Sequence, residues 1–326
     1  MKVIIPAAGF GSRLRPHTFT TPKVLLPVAG KPILEHIINQ VISFGADHLT
    51  IIHGYLGEQI EGFVRGKFDI NMDFRLQEEP LGLGHAVYLG LDEDDQELLV
   101  ILGDTILDLE LDSVIKKGVT ALGVKEVADP RKFGVVVVED GRVSRLEEKP
   151  INPPSNLAIV GVYYIRDARL LRNAIKETME KNITVKGEFQ ITDALQLMLQ
   201  AGEKFETFPV SGWYDCGKPE TLLATNKFLL DKANSKPANN DQIRDSIIIQ
   251  PVHLGERTII TRSIIGPNVS IGEDCHVTDV IVDNSVIGDR VNVQDIVMND
   301  TIIGNRTDVA GRRLNINLGA STMLKM

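Results

Sequence analysis

Gly9 and Gly11, with Arg13 close behind and Lys23 further on, are the first residues in this chain whose types and spacing could handle an anion. They stand in Pro6-Ala7-Ala8-Gly9-Phe10-Gly11-Ser12-Arg13-Leu14, directly after the apolar run Val3 to Ile5. Glycine lets backbone N–H groups close on an anionic ligand where a side chain would block it, so Ala8, Gly9, Gly11 and Ser12 are candidate nucleotide contacts. A dinucleotide loop would need a third glycine where Leu14 stands and an acidic residue near Lys31 or Pro32, and a Walker A run is absent. What sets this loop apart is its cationic pair, Arg13 and the Lys23 of Thr21-Pro22-Lys23-Val24-Leu25-Leu26-Pro27. Two fixed cations can hold the β/γ phosphates and a reacting α-phosphate. A lone loop cation would be an ordinary solvated residue.

Two carboxylates are candidates for a metal. Leu98-Leu99-Val100-Ile101-Leu102-Gly103-Asp104 reads as a buried strand delivering Asp104 at its C-terminal end, the edge where open α/β sheets place ligands. Far along the chain, Trp213-Tyr214-Asp215-Cys216-Gly217 offers a second. Hard Mg²⁺ takes one or two carboxylates together with substrate phosphate oxygens and water; taken singly, either Asp serves equally well as a cap or turn residue. Gln77, in Leu76-Gln77-Glu78-Glu79-Pro80-Leu81-Gly82-Leu83-Gly84-His85-Ala86, carries an amide donor and acceptor of the kind a pyrimidine edge requires.

Gly-x-Gly-Ser-Arg-Leu-x-Pro-x-Thr, here Gly9 to Thr18, followed by Pro22-Lys23, resembles the signature of the sugar nucleotidylyltransferases. That family includes glucose-1-phosphate thymidylyl- and uridylyltransferases and mannose-1-phosphate guanylyltransferase, and the similarity runs motif by motif over residues 1 to about 230. The resemblance implies that Arg13 stabilises the leaving pyrophosphate, that Lys23 acts at the reacting phosphates, and that Asp104 and Asp215 hold catalytic Mg²⁺. It gives base reading to Gln77 and the backbone of Gly82, with Gly-Leu-Gly-His-Ala closer to the uridylyl and thymidylyl members than to the guanylyl ones; His85 is expected to be structural. On the sugar side it points to Gly134, to Glu148 and Lys149 in Leu146-Glu147-Glu148-Lys149-Pro150 with Asn156, and to Val160. Glu148 would accept from sugar hydroxyls and Lys149 would bind the sugar phosphate. Two departures stand out: Lys186 where thymidylyltransferases carry a phosphate-gripping arginine, and Val24 where many have glutamine.

Positioning these groups requires a sheet with crossovers. Short apolar runs alternate with helical periods: Val3 to Ile5 then Ile33 to Phe44, Leu49 to Ile52 then Leu56 to Val64, Leu98 to Leu102 then Leu111 to Lys116. The runs Thr120 to Lys125, Gly134 to Val138, Arg142 to Leu146 and Ile159 to Ile165 read as antiparallel additions, with a hairpin at Asp140-Gly141. The expected fold is α/β: a Rossmann-like three-layer αβα nucleotidyltransferase domain with a mixed sheet over residues 1–232, then a polar linker over 233–245. Beyond it Leu254-Gly255, Ile265-Gly266, Ile271-Gly272, Ile287-Gly288 and Ile303-Gly304 recur with glycine spacings of 11, 6, 16 and 16, sums of fives and sixes. With in-phase aliphatics at Val269, Val277, Val282, Val293, Met298 and Val309, this predicts a parallel β-helix of about four coils within residues 246–326, ending in a tail. Resemblance to hexapeptide-repeat proteins implies that it is left-handed.

A net charge of −9, from 35 Lys+Arg against 44 Asp+Glu, argues against general affinity for nucleic acid or anionic membrane. Two cysteines and an N-terminal apolar run that stops at Pro6 fit a reducing, cytoplasmic setting. The expected reaction joins a pyrimidine triphosphate, dTTP or UTP, to a sugar 1-phosphate, preferably glucose 1-phosphate, with Mg²⁺ as cofactor. Alternatives are guanylyl transfer to mannose 1-phosphate, a second acyltransferase activity on the β-helix, where His253 and His276 lie, and a nucleotide-sugar sensor without turnover. Flat β-helix faces rich in Ile and Val predict a homo-oligomer.

Overall fold

The computed structural model describes residues 1–233 and 242–311. Most of the expected linker, and the expected tail from 312 onward, lie outside these residues. The chain divides into two compact units, one of Met1–Leu26 with Lys31–Thr225, the other of Pro27–Gly30 with the chain from Asn226 onward.

The first unit is built on a mixed nine-stranded sheet. Lys2–Pro6 lies at its centre, parallel to both His48–His53 and Leu98–Ile101, and Asn71–Leu76 extends the parallel part beyond His48–His53. In chain order this is the arrangement 3-2-1-4, whose switch point falls between Lys2–Pro6 and Leu98–Ile101. Leu98, Leu99, Val100 and Ile101 are fully buried, as a strand covered on both faces must be. Leu157–Ile165 then runs antiparallel to Leu98–Ile101 and carries Thr120–Glu126 and Gly134–Glu139. The hairpin from Gly134–Glu139 to Arg142–Glu148 turns on Asp140 and Gly141, whose φ values of 50° and 77° give the twist a two-residue connection needs. Helices Ile33–Ser43, Gly57–Lys67 and Leu83–Gly90 make the crossovers; the first buries Ile33, Leu34, Ile37, Ile38 and Val41 on one face. No helix among the described residues is long and apolar enough to cross a membrane.

The second unit is a parallel β-helix. Residues stack on partners 17 further along in the early coils, Ile243 on Ile260 and Ile264 on Ile281, and 16 further along later, His276 on Asn292 and Val286 on Ile302. Three flat faces result, with Val269, Ile271, Val277, Val282 and Val293 filling the axis at 0–1 % exposure. The corners fall at non-glycine residues of positive φ, including Arg262, Asn268, Asp274, Asp279, Asn284, Arg290, Asp295, Asp300 and Arg306. Several corners are tied coil to coil: Arg257 Nε donates to Asp274 Oδ1 at 2.6 Å and Arg262 Nε to Asp279 Oδ1 at 2.9 Å. Both cysteines, Cys216 in the first unit and Cys275 in the second, are buried free thiols.

Candidate active site

The loop after Lys2–Pro6 is fixed at both ends. Ala7 N–H donates to Ile52 O at 2.7 Å, and Gly11, at φ 61°, leads into the short 3₁₀ turn Ser12–Leu14. A Cβ on Gly11 would lie 2.9 Å from both Lys23 Cβ and Thr18 Cγ2, so glycine is needed there for shape as well as for φ. Gly9 by contrast opens onto free space. Ala8, Gly9, Lys23, Gln77, Gly82 and Asp104 line one cleft of about 310 Å³ at the carboxyl edge of the parallel strands. Ser12 and Arg13 are exposed on the 3₁₀ turn beside it.

Lys23 is 8 % exposed, and its ammonium ion-pairs with Asp104 and approaches Asp215 Oδ1 at 4.0 Å. A small ladder outside the main sheet brings the two carboxylates together: Thr105–Asp108 pairs antiparallel with Gly212–Asp215, Thr105 opposite Asp215, and Cys216 N–H donates to Asp104 O at 3.0 Å. Burial raises the Asp215 pKa above the ordinary carboxylate value and the Asp104 charge adds to this, against Lys23 and Arg13. Burial thus leaves the Asp215 carboxylate poorly solvated and close to a second carboxylate. Two hard oxygen donors in that state suit a divalent cation such as Mg²⁺. No third His, Cys, Asp or Glu among the described residues completes a metal cluster with them, which leaves substrate oxygens and water to fill the remaining positions. Burial pushes the neighbouring Cys216 thiol up to about 12, leaving it unreactive.

Gln77 is 8 % exposed, and its Nε2 donates to Gly82 O and to His85 Nδ1, each at 3.1 Å. Gly82, at φ 106°, caps helix Leu83–Gly90, and a Cβ there would meet Phe189 O at 2.5 Å.

A second cluster gathers the sugar-side residues. Glu148 Oε2 accepts from Thr192 Oγ1 at 2.7 Å, Glu148 Oε1 pairs with Lys149 Nζ at 3.2 Å, and a Cβ on Gly134 would press on both Thr192 and Glu148. Val160 is buried, beside a bulge at Gly161 whose carbonyl accepts from Leu102 N–H at 3.1 Å. Phe133 packs edge-on against Trp213 at 4.9 Å between ring centroids. Lys186 is exposed at the tip of the turn closed by the Val185–Glu188 bridge, outside this hydrogen-bonded cluster, and Asn156 is also exposed. Sequence reasoning gave no role to Glu188, which lines the cleft, or to Thr192 and Asp193.

Asp193 is the unexpected member. Its Oδ2 is buried without a hydrogen-bond partner, and burial, aided by Glu148 and opposed by Lys149, raises its pKa to about 6. A carboxyl that titrates higher folded than unfolded stabilises the fold below its unfolded value and loses that contribution as pH rises through its folded one. Asp193→Asn will therefore raise Tm above pH 6 by a few degrees, for about 1 to 3 kcal/mol. The gain should shrink to nothing near pH 4. Thermal melts across that range check it, and a gain independent of pH would show that desolvation is not the cause.

Residues 2–232 match the family model described as nucleotidyl transferase, and residues 236–310 match the GlmU-like C-terminal hexapeptide model. The chain is 39 % identical over 257 residues to the bifunctional protein GlmU of Methanocaldococcus jannaschii, a match covering 77 % of this chain and 60 % of that protein's length. It is 32 % identical over 314 residues to glucose-1-phosphate thymidylyltransferase of Streptomyces griseus, covering 87 % of this chain and 86 % of that protein. Among solved structures, UDP-glucose pyrophosphorylase complexed with UDP-glucose aligns at a TM-score of 0.61 and 26 % identity, over 71 % of this chain and 98 % of that one. The coils of the second unit are those of the left-handed hexapeptide-repeat β-helix. Through a domain match that takes in the phosphate loop, Lys23, both carboxylates and the sugar-side cluster, the chain belongs to the nucleotidyl transferase family.

Proposed function

We propose that this protein transfers a nucleotidyl group from a pyrimidine triphosphate, dTTP or UTP, to a sugar 1-phosphate, most readily glucose 1-phosphate, and releases pyrophosphate. The observation that carries this reading is the buried Lys23 ammonium set between Asp104 and Asp215 at the mouth of a glycine loop. The thymidylyltransferase relative and the UDP-glucose pyrophosphorylase structure support the choice of substrates.

An oxygen of the sugar phosphate attacks the α-phosphorus; the bond to the bridging oxygen breaks, and pyrophosphate leaves with that electron pair. Lys23 meets charge developing on the α-phosphate, and Arg13, exposed on the 3₁₀ turn beside the cleft, stabilises the leaving pyrophosphate. The backbone of Ala8 to Ser12 orients the triphosphate, and Gln77 with Gly82 orients the base. Glu148 accepts from sugar hydroxyls while Lys149 grips the sugar phosphate, the two aligned by their ion pair and Glu148 also by the Thr192 hydroxyl. Asp104 and Asp215 are the residues to hold Mg²⁺, which when bound neutralises phosphate charge. The residues need only position and neutralise, so no covalent enzyme intermediate is required.

Pyrophosphate release over a panel of triphosphates and sugar 1-phosphates tests the assignment, with UTP or dTTP plus glucose 1-phosphate expected to lead. In the same panel Gln77→Glu should lower kcat/KM for both pyrimidine triphosphates by about 10², since it replaces a pinned amide with a charge facing Gly82 O, while the order of sugars stays as it was. Intact UTP and dTTP kinetics in that variant would place the base elsewhere.

A further inference from the structure

Gln77 lines the cleft and His85 does not; His85 stands behind it on helix Leu83–Gly90. An amide NH₂ has two hydrogens, and here both are committed, one to Gly82 O and one to His85 Nδ1, each at 3.1 Å. The only group Gln77 has left to offer is Oε1. The opposite amide orientation would set Oε1 against the Gly82 carbonyl, two acceptors face to face, so the Gly82 contact fixes which end is nitrogen. Accepting that second hydrogen requires an unprotonated Nδ1, hence a neutral imidazole with its proton on Nε2. Burial keeps the His85 pKa below its ordinary value, against a smaller opposing pull from Glu79. Gly82 is itself immobilised, because Gly84 N–H donates to Phe189 O and Phe189 N–H to Leu81 O, each at 2.8 Å.

We infer that His85 is a positioning residue for nucleotide choice: it locks the Gln77 amide so that an acceptor alone faces the base. Uracil and thymine carry N3–H, a donor, and meet Oε1 productively. Cytosine carries an unprotonated N3, an acceptor, and meets it repulsively. Selection between uridine and cytidine triphosphates thus rests on a side chain that touches neither. This deepens the pyrimidine reading above and rests on it.

The test compares kcat/KM for UTP, CTP and 3-methyl-UTP, which lacks the N3 proton, in the wild-type chain and in His85→Leu and His85→Asn, with Tm recorded for each. Wild-type protein should reject CTP and 3-methyl-UTP by about 10² relative to UTP. His85→Leu removes one of the two acceptors that hold the amide, leaving Gly82 O alone to restrain it and one N–H free to turn toward an acceptor such as cytosine N3, so the UTP-to-CTP ratio should fall at least tenfold, through KM rather than kcat. His85→Asn can place Oδ1 where Nδ1 was, and should restore most of the ratio. An unchanged ratio in His85→Leu, or the same loss for all three nucleotides in both variants alongside a lowered Tm, would reduce His85 to a packing residue and overturn the inference. Failure of the pyrimidine reading looks different: the wild-type chain would then use a purine triphosphate in place of UTP and dTTP, before any variant is made.

Discussion

Replacing either Asp104 or Asp215 by Asn will lower kcat by about 10² or more, the scale on which one strong transition-state contact is lost. Asn keeps the shape and one oxygen but removes a charge from the point where two carboxylates meet around Lys23. Because both act at that single point, the double variant should lose far less than the product of the two single losses. Folding should hardly suffer in Asp215→Asn, since Asp215 is already held against its preferred charge state by burial and by Asp104, whereas Asp104→Asn leaves the buried Lys23 ammonium without its ion-pair partner and should lower Tm. Raising Mg²⁺ should recover part of each single loss, and calorimetric titration with Mg²⁺ should show weakened binding in both. Multiplicative losses with unaltered Mg²⁺ binding would mean that the carboxylates work separately, leaving Arg13 and Lys23 to carry the charge.

Lys23→Gln should cost more, about 10³ in kcat, because it takes away a fixed cation aimed at the reacting phosphates and exposes Asp104 and Asp215 to each other. Arginine is no substitute: the ammonium sits in a site that leaves the side chain 9 % exposed, where a planar guanidinium does not fit without moving its neighbours. Lys23→Arg should therefore recover less than a tenth of the lost rate. Removing one partner of a buried ion pair also destabilises the fold. Tm should drop in Lys23→Gln and rise again in Lys23→Gln with Asp104→Asn, where the charge count is restored. A double variant no more stable than Lys23→Gln would show that charge balance is not what Lys23 contributes to folding.

The parallel half of the sheet was legible in the sequence because each strand is a short, continuously apolar run followed by a helical period. The coiled domain was legible because its aliphatic-glycine pairs recur in phase. Asp104 was conspicuous as the polar residue ending a buried strand. Its approach to Asp215 was harder to read, since it depends on two four-residue strands off the main sheet, Thr105–Asp108 and Gly212–Asp215, too short to show a period. Thr192 and Asp193 went without a role because polar residues at the start of a helix look like caps; only their position beside Glu148 distinguishes them. His85 was expected to be structural, and what it structures is a through-space contact that spacing alone does not reveal. Val160 owes its place to a bulge at Gly161, and a single glycine in a long apolar strand gives little warning of one.

The stacking of the coils has a consequence for how such a domain changes over time. Strand pairing joins each described coil to the one before and the one after, through partners 16 or 17 residues away, so the stability of the stack is close to a chain of nearest-neighbour couplings. Duplicating or deleting one such length of sequence adds or removes one link and leaves the remaining couplings as they were. Coils with a paired neighbour on each side should melt last. Copy number is therefore the easy variable in this half of the molecule, and one residue more or less at a corner is absorbed, as the step from 17 to 16 shows, whereas a residue inserted within a flat strand would turn the aliphatics between it and the next corner away from the axis.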